Sequence, residues 1–423
     1  MSAAKIHIIG LGVSEFAELS TQAKTALCCC DIVIGSQRQL DTLSGLLDSI
    51  EIKKILLPKL TQLKATIKGY DAKTIAVLAS GDPLYFGIGR WFSKNFVNKD
   101  LLFYPAVSCV QEACHRFGLS LQDVTVLSLH GRPLEKIRTT IKANTIIVVL
   151  TDQLSQPQVL ARECLAAGFE QSTLQICENL GYASEKISSY TAQDLALNNK
   201  SFDPLHVTLI TVAGKGAVLP EFPGFPDVVF ETGKEPGKGM LSKREVRLTI
   251  LSFLQPANGD VIWDIGAGCG GVSVELAYWN EQVMVYAIEH HHQRLQYLTT
   301  NQHRFGVVSN LHIVNGRAPE ILAELAVANK VFIGGSDGEL NSLLQQVWQK
   351  LPADGILVAS AVMDSTKQKL QLFSQTLSEW QVESVILAVS RGRLSTEKLS
   401  YIEKLPVTVF CFKKTPNTIG NNI

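Results

Sequence analysis

A chain of 423 residues exceeds one ordinary hydrophobic core and predicts two or three domains of about 100–200 residues each, with 46% apolar residues to fill them. Lysine plus arginine equals aspartate plus glutamate at 39 each, which argues against a global field drawing the protein to nucleic acid or a membrane; an anionic ligand needs a local cluster. Nine cysteines without a CxxC pair, three of them consecutive at Cys28-Cys29-Cys30, fit no simple zinc or disulfide framework and read as free thiols in a reducing cytoplasm.

The opening MSAAKIHIIG runs directly into a strand pattern, and no run approaches about 18 apolar residues, so the expectation is a soluble cytoplasmic protein that is not exported. Strand-like runs follow at 6–9, 74–78, 101–104, 145–150, 173–177 and 206–212, with helix-like stretches such as 15–29 and 157–167 between them. This alternation predicts an α/β N-terminal half, and a glycine-poor break at 135–144 is read as its division into two lobes. From Gly214 to Gly239, glycines bracket three prolines that sit within seven residues. Such a segment resists regular structure, so domains are expected at 1–214 and 240–423 with a linker at 215–239. Beyond it, strands at 261–265, 284–289, 311–315, 331–333, 356–360, 382–387 and 407–412 predict a seven-stranded, mainly parallel sheet with its ligand crevice beyond the strands' carboxyl ends. No internal repeat is visible, so the halves read as unrelated folds.

The densest chemical signal is Asp264-Ile265-Gly266-Ala267-Gly268-Cys269-Gly270-Gly271, which follows one strand, with Glu289 closing the next. Glycines there let backbone approach a ligand, and an acidic residue at the second strand's end accepts ribose hydroxyls. The spacing of Gly266, Gly268 and Gly271 also fits a dinucleotide fingerprint, leaving a nicotinamide cofactor and S-adenosylmethionine both open; Asp264 leans toward the latter. In the N-terminal half, Gly10-Leu11-Gly12, Ser80-Gly81-Asp82-Pro83 and Pro105 to Cys109 punctuate strand ends that converge if the strands are adjacent. Leu129-His130-Gly131-Arg132 adds an imidazole and a guanidinium at a loop. His290, His291 and His292 diverge at a helix start, so no metal site is expected.

IIGLG, ASGDPLYFGIGR, YPAVSCVQEACHRFGL, LSLHGR, LTDQLSQPQVLARECLAAG and CENLGYASEKI resemble, in order, the tetrapyrrole methylases that modify precorrins. PGFPDVVF, MLSKREVRLTILSFL, WDIGAGCGGVSVELA, AIEHH, NGRAPEIL, FIGGSDGEL and SRGR resemble the small decarboxylating precorrin methyltransferases, and the fused pair is similar to the precorrin-6Y methyltransferase family of vitamin B12 synthesis. The resemblance implies a two-lobed tetrapyrrole methylase fold followed by a Rossmann-like class I methyltransferase fold. It further implies methylation of carbons 5 and 15 of a precorrin, decarboxylation of the carbon-12 acetate, and two S-adenosylmethionine sites, one per half.

Carried over residue by residue, it assigns cofactor contacts to Leu11, Asp82, Ser108, Cys109, Leu180, His206 and Val207 in the first half. In the second it assigns Ser242, Gly266, Ala267, Gly268, Cys269, Gly270, Glu289, Arg317 and Ala318. Cys109 stands where relatives commonly carry a second serine, and GLGVSEF lacks their Gly-Pro-Gly. A polycarboxylate substrate suits guanidinium partners; the candidates are His130, Arg132, Lys243, Arg244 and Arg247, with Arg90, Arg116, Arg391 and Arg393 beside them. Two sites on one chain and large planar intermediates suggest a homo-oligomer. The competing readings are a cobalt-containing substrate, a different methyl acceptor on the same folds, and a protein with one inactive regulatory half.

Overall fold

Buried apolar strands sort into three large sheets and a separate hairpin in a computed structural model that describes residues 5–70, 73–216, 219–235, 238–395 and 398–414. They divide between two units: unit 1 holds the residues up to Gly216 apart from Glu135–Thr139, and unit 2 holds that short segment with the residues after Gly216.

Unit 1 begins with β1 (Ile6–Gly10), β2 (Ile32–Gly35), β3 (Lys53–Leu56), β4 (Ile75–Ala79) and β5 (Leu101–Tyr104), all parallel in the order β3-β2-β4-β1-β5. β4 is buried at every position, as a strand covered on both faces requires. A second sheet contains β6 (Val124–Ser128), β7 (Ile146–Leu150), β8 (Thr173–Glu178), β9 (Lys186–Thr191) and β10 (His206–Thr211) in the order β6-β7-β10-β8-β9. Only β6 and β7 run parallel there. The lobe division expected at 135–144 is misplaced: the chain changes sheets between β5 and β6, across the helix Cys109–Arg116, whose start is closed by a Ser108–Gln111 capping box. Low glycine content marked a 3-10 segment, Leu134–Thr139, instead of a hinge. The helix expected at 15–29 starts only at Thr21, where the Ser20 hydroxyl accepts from the Ala23 amide.

Unit 2 contains β11 (Val261–Ile265), β12 (Met284–Glu289), β13 (Leu311–Asn315), β14 (Lys330–Ile333), β15 (Gly355–Ala361), β16 (Val382–Leu387), β17 (Ser390–Leu394), β18 (Leu399–Glu403) and β19 (Val407–Lys414). Seven of these form one sheet ordered β13-β12-β11-β14-β15-β19-β16, in which β19 alone runs antiparallel to its neighbours β15 and β16. These are the seven strands expected from sequence. The strand order reverses between β11 and β14, so loops leaving their carboxyl ends diverge and open a crevice. The exposed β17–β18 hairpin is an addition to the seven expected strands.

Residues 219–235, read as part of a linker, instead pack into unit 2. Phe225 and Phe230 are buried in its core, where Phe225 stacks on Phe305 at 5.1 Å. Aromatic anchors among the prolines outweighed the turn signal. Arg247 ties this segment down: its Nε donates to Glu275 at 2.8 Å and its Nη1 to Asp227 at 2.7 Å, while Nη2 donates to the Phe225 carbonyl. Glu275 also accepts from the Gly224 and Phe225 amides at 2.7 and 3.1 Å, so the buried charges are hydrogen-bonded as well as paired.

Replacing Arg247 leaves Glu275 buried without its cation and Asp227 with only the more exposed Arg391. Arg247→Met is expected to destabilise unit 2 by about 3–5 kcal/mol, against less than about 0.5 kcal/mol for exposed Arg244→Ala. Chemical denaturation followed by tryptophan emission, to which Trp279 beside Glu275 contributes, checks this.

Candidate functional site

Two cavities lie at strand ends, one within each unit. The cavity of unit 1, about 690 Å³, is built where β4, β1 and β5 end side by side. The Leu11 amide donates to the Ala79 carbonyl at 2.9 Å and the Gly81 amide to the Gly12 carbonyl at 3.0 Å, locking the first two loops together. Asp82 joins the third: its Oδ1 accepts from the Leu84 and Tyr85 amides at 2.8 and 2.9 Å, and its Oδ2 from the Ala106 amide at 3.4 Å. The carboxylate therefore shapes the loop.

The second lobe supplies the rest of the wall. Leu11, Asp82, Ser108, Cys109, Leu180, His206 and Val207 all line this cavity, as do His130, Arg132 and Arg90. His206 is buried and its ring is committed: Nδ1 faces the Asp203 carbonyl at 2.6 Å and so carries the proton, leaving Nε2 to accept from the Thr151 hydroxyl at 2.8 Å. Burial pushes the Cys109 thiol pKa up, so Cys109 contributes a neutral wall. Arg132 donates to the Ser128 carbonyl at 3.0 Å and keeps further donors available. Arg116 lies outside the cavity, where Glu185 and Glu112 hold it at 2.7 and 2.5 Å. Arg38, Gln39, Tyr85 and Phe86 also line the cavity without being expected there: Arg38 and Gln39 lie in a helix with no glycine signal, and Tyr85 and Phe86 follow the Gly81–Pro83 turn, where their apolar side chains read as packing.

Unit 2's cavity, about 310 Å³, opens at the reversal between β11 and β14. Gly266 adopts a φ of 72°, and a Cβ there would lie 2.7 Å from the Gly335 backbone, so only glycine fits. Glu289 is buried, with Oε2 accepting from the Gly268 amide at 3.0 Å and Oε1 from the His290 and His291 amides at 2.9 Å. It also lines the cavity, so its remaining acceptor capacity suits a diol. Ser242, Gly266, Ala267, Gly268, Arg317, Ala318 and Lys243 share that wall; Cys269 and Gly270 turn away from it into the core. The loop Gly334 to Asp337 also lines the cavity, where Asp337 sits 3.2 Å from the His290 ring. The sequence pattern alone gives this loop no role.

Four arginine expectations change. Arg247 is fully buried on Asp227 and Glu275, so it is removed from the substrate candidates. Arg391 is held by Asp227 at 3.2 Å and Glu245 at 2.7 Å, outside the cavity wall. Arg244 and Arg393 are exposed and likewise outside it. A helical or strand pattern gives spacing, whereas the burial of one face comes from tertiary packing. Among the described residues no group of three or more histidine, cysteine, aspartate or glutamate side chains is placed to hold a metal ion, and no helix is long and apolar enough to cross a membrane.

The fold and sites define a chain that joins two methyltransferase domains: residues 5–196 match the tetrapyrrole (corrin/porphyrin) methylases and residues 236–414 the precorrin methyltransferase domain. It is 34% identical over 359 residues to the precorrin-6Y C(5,15)-methyltransferase (decarboxylating) of Sinorhizobium sp, covering 84% of each chain. It is 30% identical to the protein of the same name from Mycobacterium tuberculosis H37Rv, over 84% of this chain and 87% of that one. A shorter relative, a probable cobalt-precorrin-6B C(15)-methyltransferase (decarboxylating) from Pyrobaculum calidifontis, is 35% identical over 39% of this chain and 84% of its own. The chain belongs to the precorrin-6Y C(5,15)-methyltransferase (decarboxylating) family.

Asp264, directly before the glycine turn, offers a pH test. It is fully buried, its Oδ2 accepts from the Ser273 hydroxyl and its Oδ1 has no partner. Burial, opposed by Ser273 and reinforced by the Glu289 charge, pushes its pKa from 3.8 to about 7. Because the folded value lies above the unfolded one, the stabilisation from the retained proton is full below pH 3.8 and is lost as pH rises through about 7. Asp264→Asn does not ionise, so its stability relative to the parent should improve by about 1–3 kcal/mol between pH 5 and pH 8 in denaturant titrations. An equal difference at both pH values contradicts the assignment.

Proposed function

We propose that the protein methylates carbons 5 and 15 of precorrin-6Y and decarboxylates the carbon-12 acetate in vitamin B12 synthesis, with S-adenosylmethionine bound once in each of the two units. The supporting observation is a strand-end cavity in each of two different folds, one matching tetrapyrrole methylases and the other the precorrin methyltransferase domain. Carbon 5 is assigned to unit 1, and carbon 15 with decarboxylation to unit 2. The C-terminal motifs and the name of the shorter relative support that division.

S-adenosylmethionine supplies a methyl group already activated on its sulfonium, so the residues need chiefly to align the partners and exclude water. In unit 2, Glu289 is positioned to accept ribose hydroxyls while the glycine turn leaves room for the nucleoside. Lys243 and Arg317 are the cations offered to substrate carboxylates. Burial, with Arg391, Arg247 and Lys404 acting against Asp227, lowers the Lys243 pKa, which favours a carboxylate partner at that position. A cation on the departing carboxylate would stabilise the ground state. Lys243 and Arg317 are therefore assigned to the carboxylates that stay. In unit 1 the equivalent grip falls to Arg38, Arg90, Arg132 and His130. The balanced charge supports a protein that engages neither nucleic acid nor membrane, and we place it in the cytoplasm as a homo-oligomer.

Mass spectrometry of the product from precorrin-6Y should show two added methyl groups and one lost carbon dioxide. Glu289→Ala should leave a product with one added methyl and the acetate intact. A parent product with fewer than two methyls contradicts the assignment.

A further inference from the structure

The loop that follows β4 contains an apolar surface that neither core packing nor a nucleoside site explains. Leu84, Tyr85 and Phe86 are consecutive, 53%, 37% and 49% exposed, and all three line the unit 1 cavity. Large apolar side chains left open on a concave surface mark a place where an apolar ligand is covered.

The loop is rigidly built. Asp82 accepts from the Leu84 and Tyr85 amides at 2.8 and 2.9 Å, and Gly87 packs so closely that a Cβ would lie 2.4 Å from the Pro83 carbonyl oxygen. Phe86 has a φ of 55°, a left-handed conformation that bulky residues rarely adopt and that glycine takes without strain. The ring is thus held where the backbone alone favours its absence. Tyr85 meets it edge to face, with centroids 5.1 Å apart and planes at 85°, which fixes both orientations before a ligand arrives. Arg90, in the following helix Gly89–Asn95, lines the same cavity, and its guanidinium makes no hydrogen bond or ion pair with any described residue.

An aromatic shelf beside an uncommitted guanidinium matches a ligand with a flat conjugated face and carboxylates on its rim. We propose that Phe86 and Arg90 seat the tetrapyrrole in unit 1, the ring lying against the macrocycle face and the guanidinium on a peripheral carboxylate. Phe86 is then a specificity-determining residue for methylation at carbon 5. The inference rests on the proposed function and adds the residues that select the substrate.

Phe86→Gly removes the ring and also relieves the backbone, so the variant is expected to unfold at or above the parent temperature. In the full-length protein it should raise the KM for precorrin-6Y in carbon-5 methyl transfer about tenfold. Arg90→Gln should do the same by a comparable factor. In both, the S-adenosylmethionine dissociation constant of unit 1 and the carbon-15 and decarboxylation steps should stay within about twofold of the parent. An unchanged KM in Phe86→Gly, beside a parent that methylates carbon 5, overturns this inference alone; so does a weakened cofactor with the KM intact. A parent that leaves carbon 5 unmethylated overturns the function and the inference together.

Discussion

Each cavity takes its shape from a carboxylate that accepts hydrogen bonds from backbone amides of neighbouring loops. In unit 2, Glu289 is buried and receives the amides of Gly268, His290 and His291. A buried charge is tolerated only when such donors surround it, so the glycine turn and the start of the next helix are fixed relative to β12. In unit 1, Asp82 binds the amides of Leu84 and Tyr85 and reaches that of Ala106, joining the loops that leave β4 and β5. The two folds differ in topology but use the same local device. Both leave side chains of the loop free to face a ligand.

That device separates the roles of the two acidic residues. Glu289 lines its cavity and keeps acceptor capacity, which suits a ribose diol. Asp82 also lines its cavity and, like Glu289, accepts from three amides; two of its donors, Leu84 and Tyr85, belong to the loop tip itself, so its contribution is to hold the Tyr85–Phe86 tip. The cations follow a similar division. Arg247, Arg391 and Arg116 secure the fold through Asp227, Glu275, Glu245, Glu112 and Glu185, whereas Lys243, Arg317, Arg90 and Arg132 face the cavities.

Much of this was legible in the sequence where a residue's neighbours along the chain decide its structure. The seven strands of the unit 2 sheet and the glycine turn were readable because long apolar runs and close backbone approach leave local marks. β2, β3, β6 and β9 were not: β3, β6 and β9 are edge strands, short and with a weak apolar pattern, as in the largely exposed Lys53–Leu56, and β2, though buried throughout, is only four residues long. The buried ion cluster was invisible for a different reason. Asp227, Arg247 and Glu275 lie tens of residues apart, and the proline-rich setting of Asp227 pointed to a linker. Spacing suggested that Lys243, Arg244 and Arg247 act together, yet packing buries the third and exposes the second. Phe86 carried no warning either, because its meaning lies in a positive φ that no local sequence pattern marks.

The central claim is that one chain carries two separately built cofactor sites. Calorimetric titration of the purified full-length protein with S-adenosylmethionine tests it directly. The account predicts two molecules bound per chain in the parent and one in Glu289→Ala, the survivor belonging to unit 1. A parent that binds a single molecule per chain, or a Glu289→Ala variant that still binds two with unchanged affinities, contradicts it.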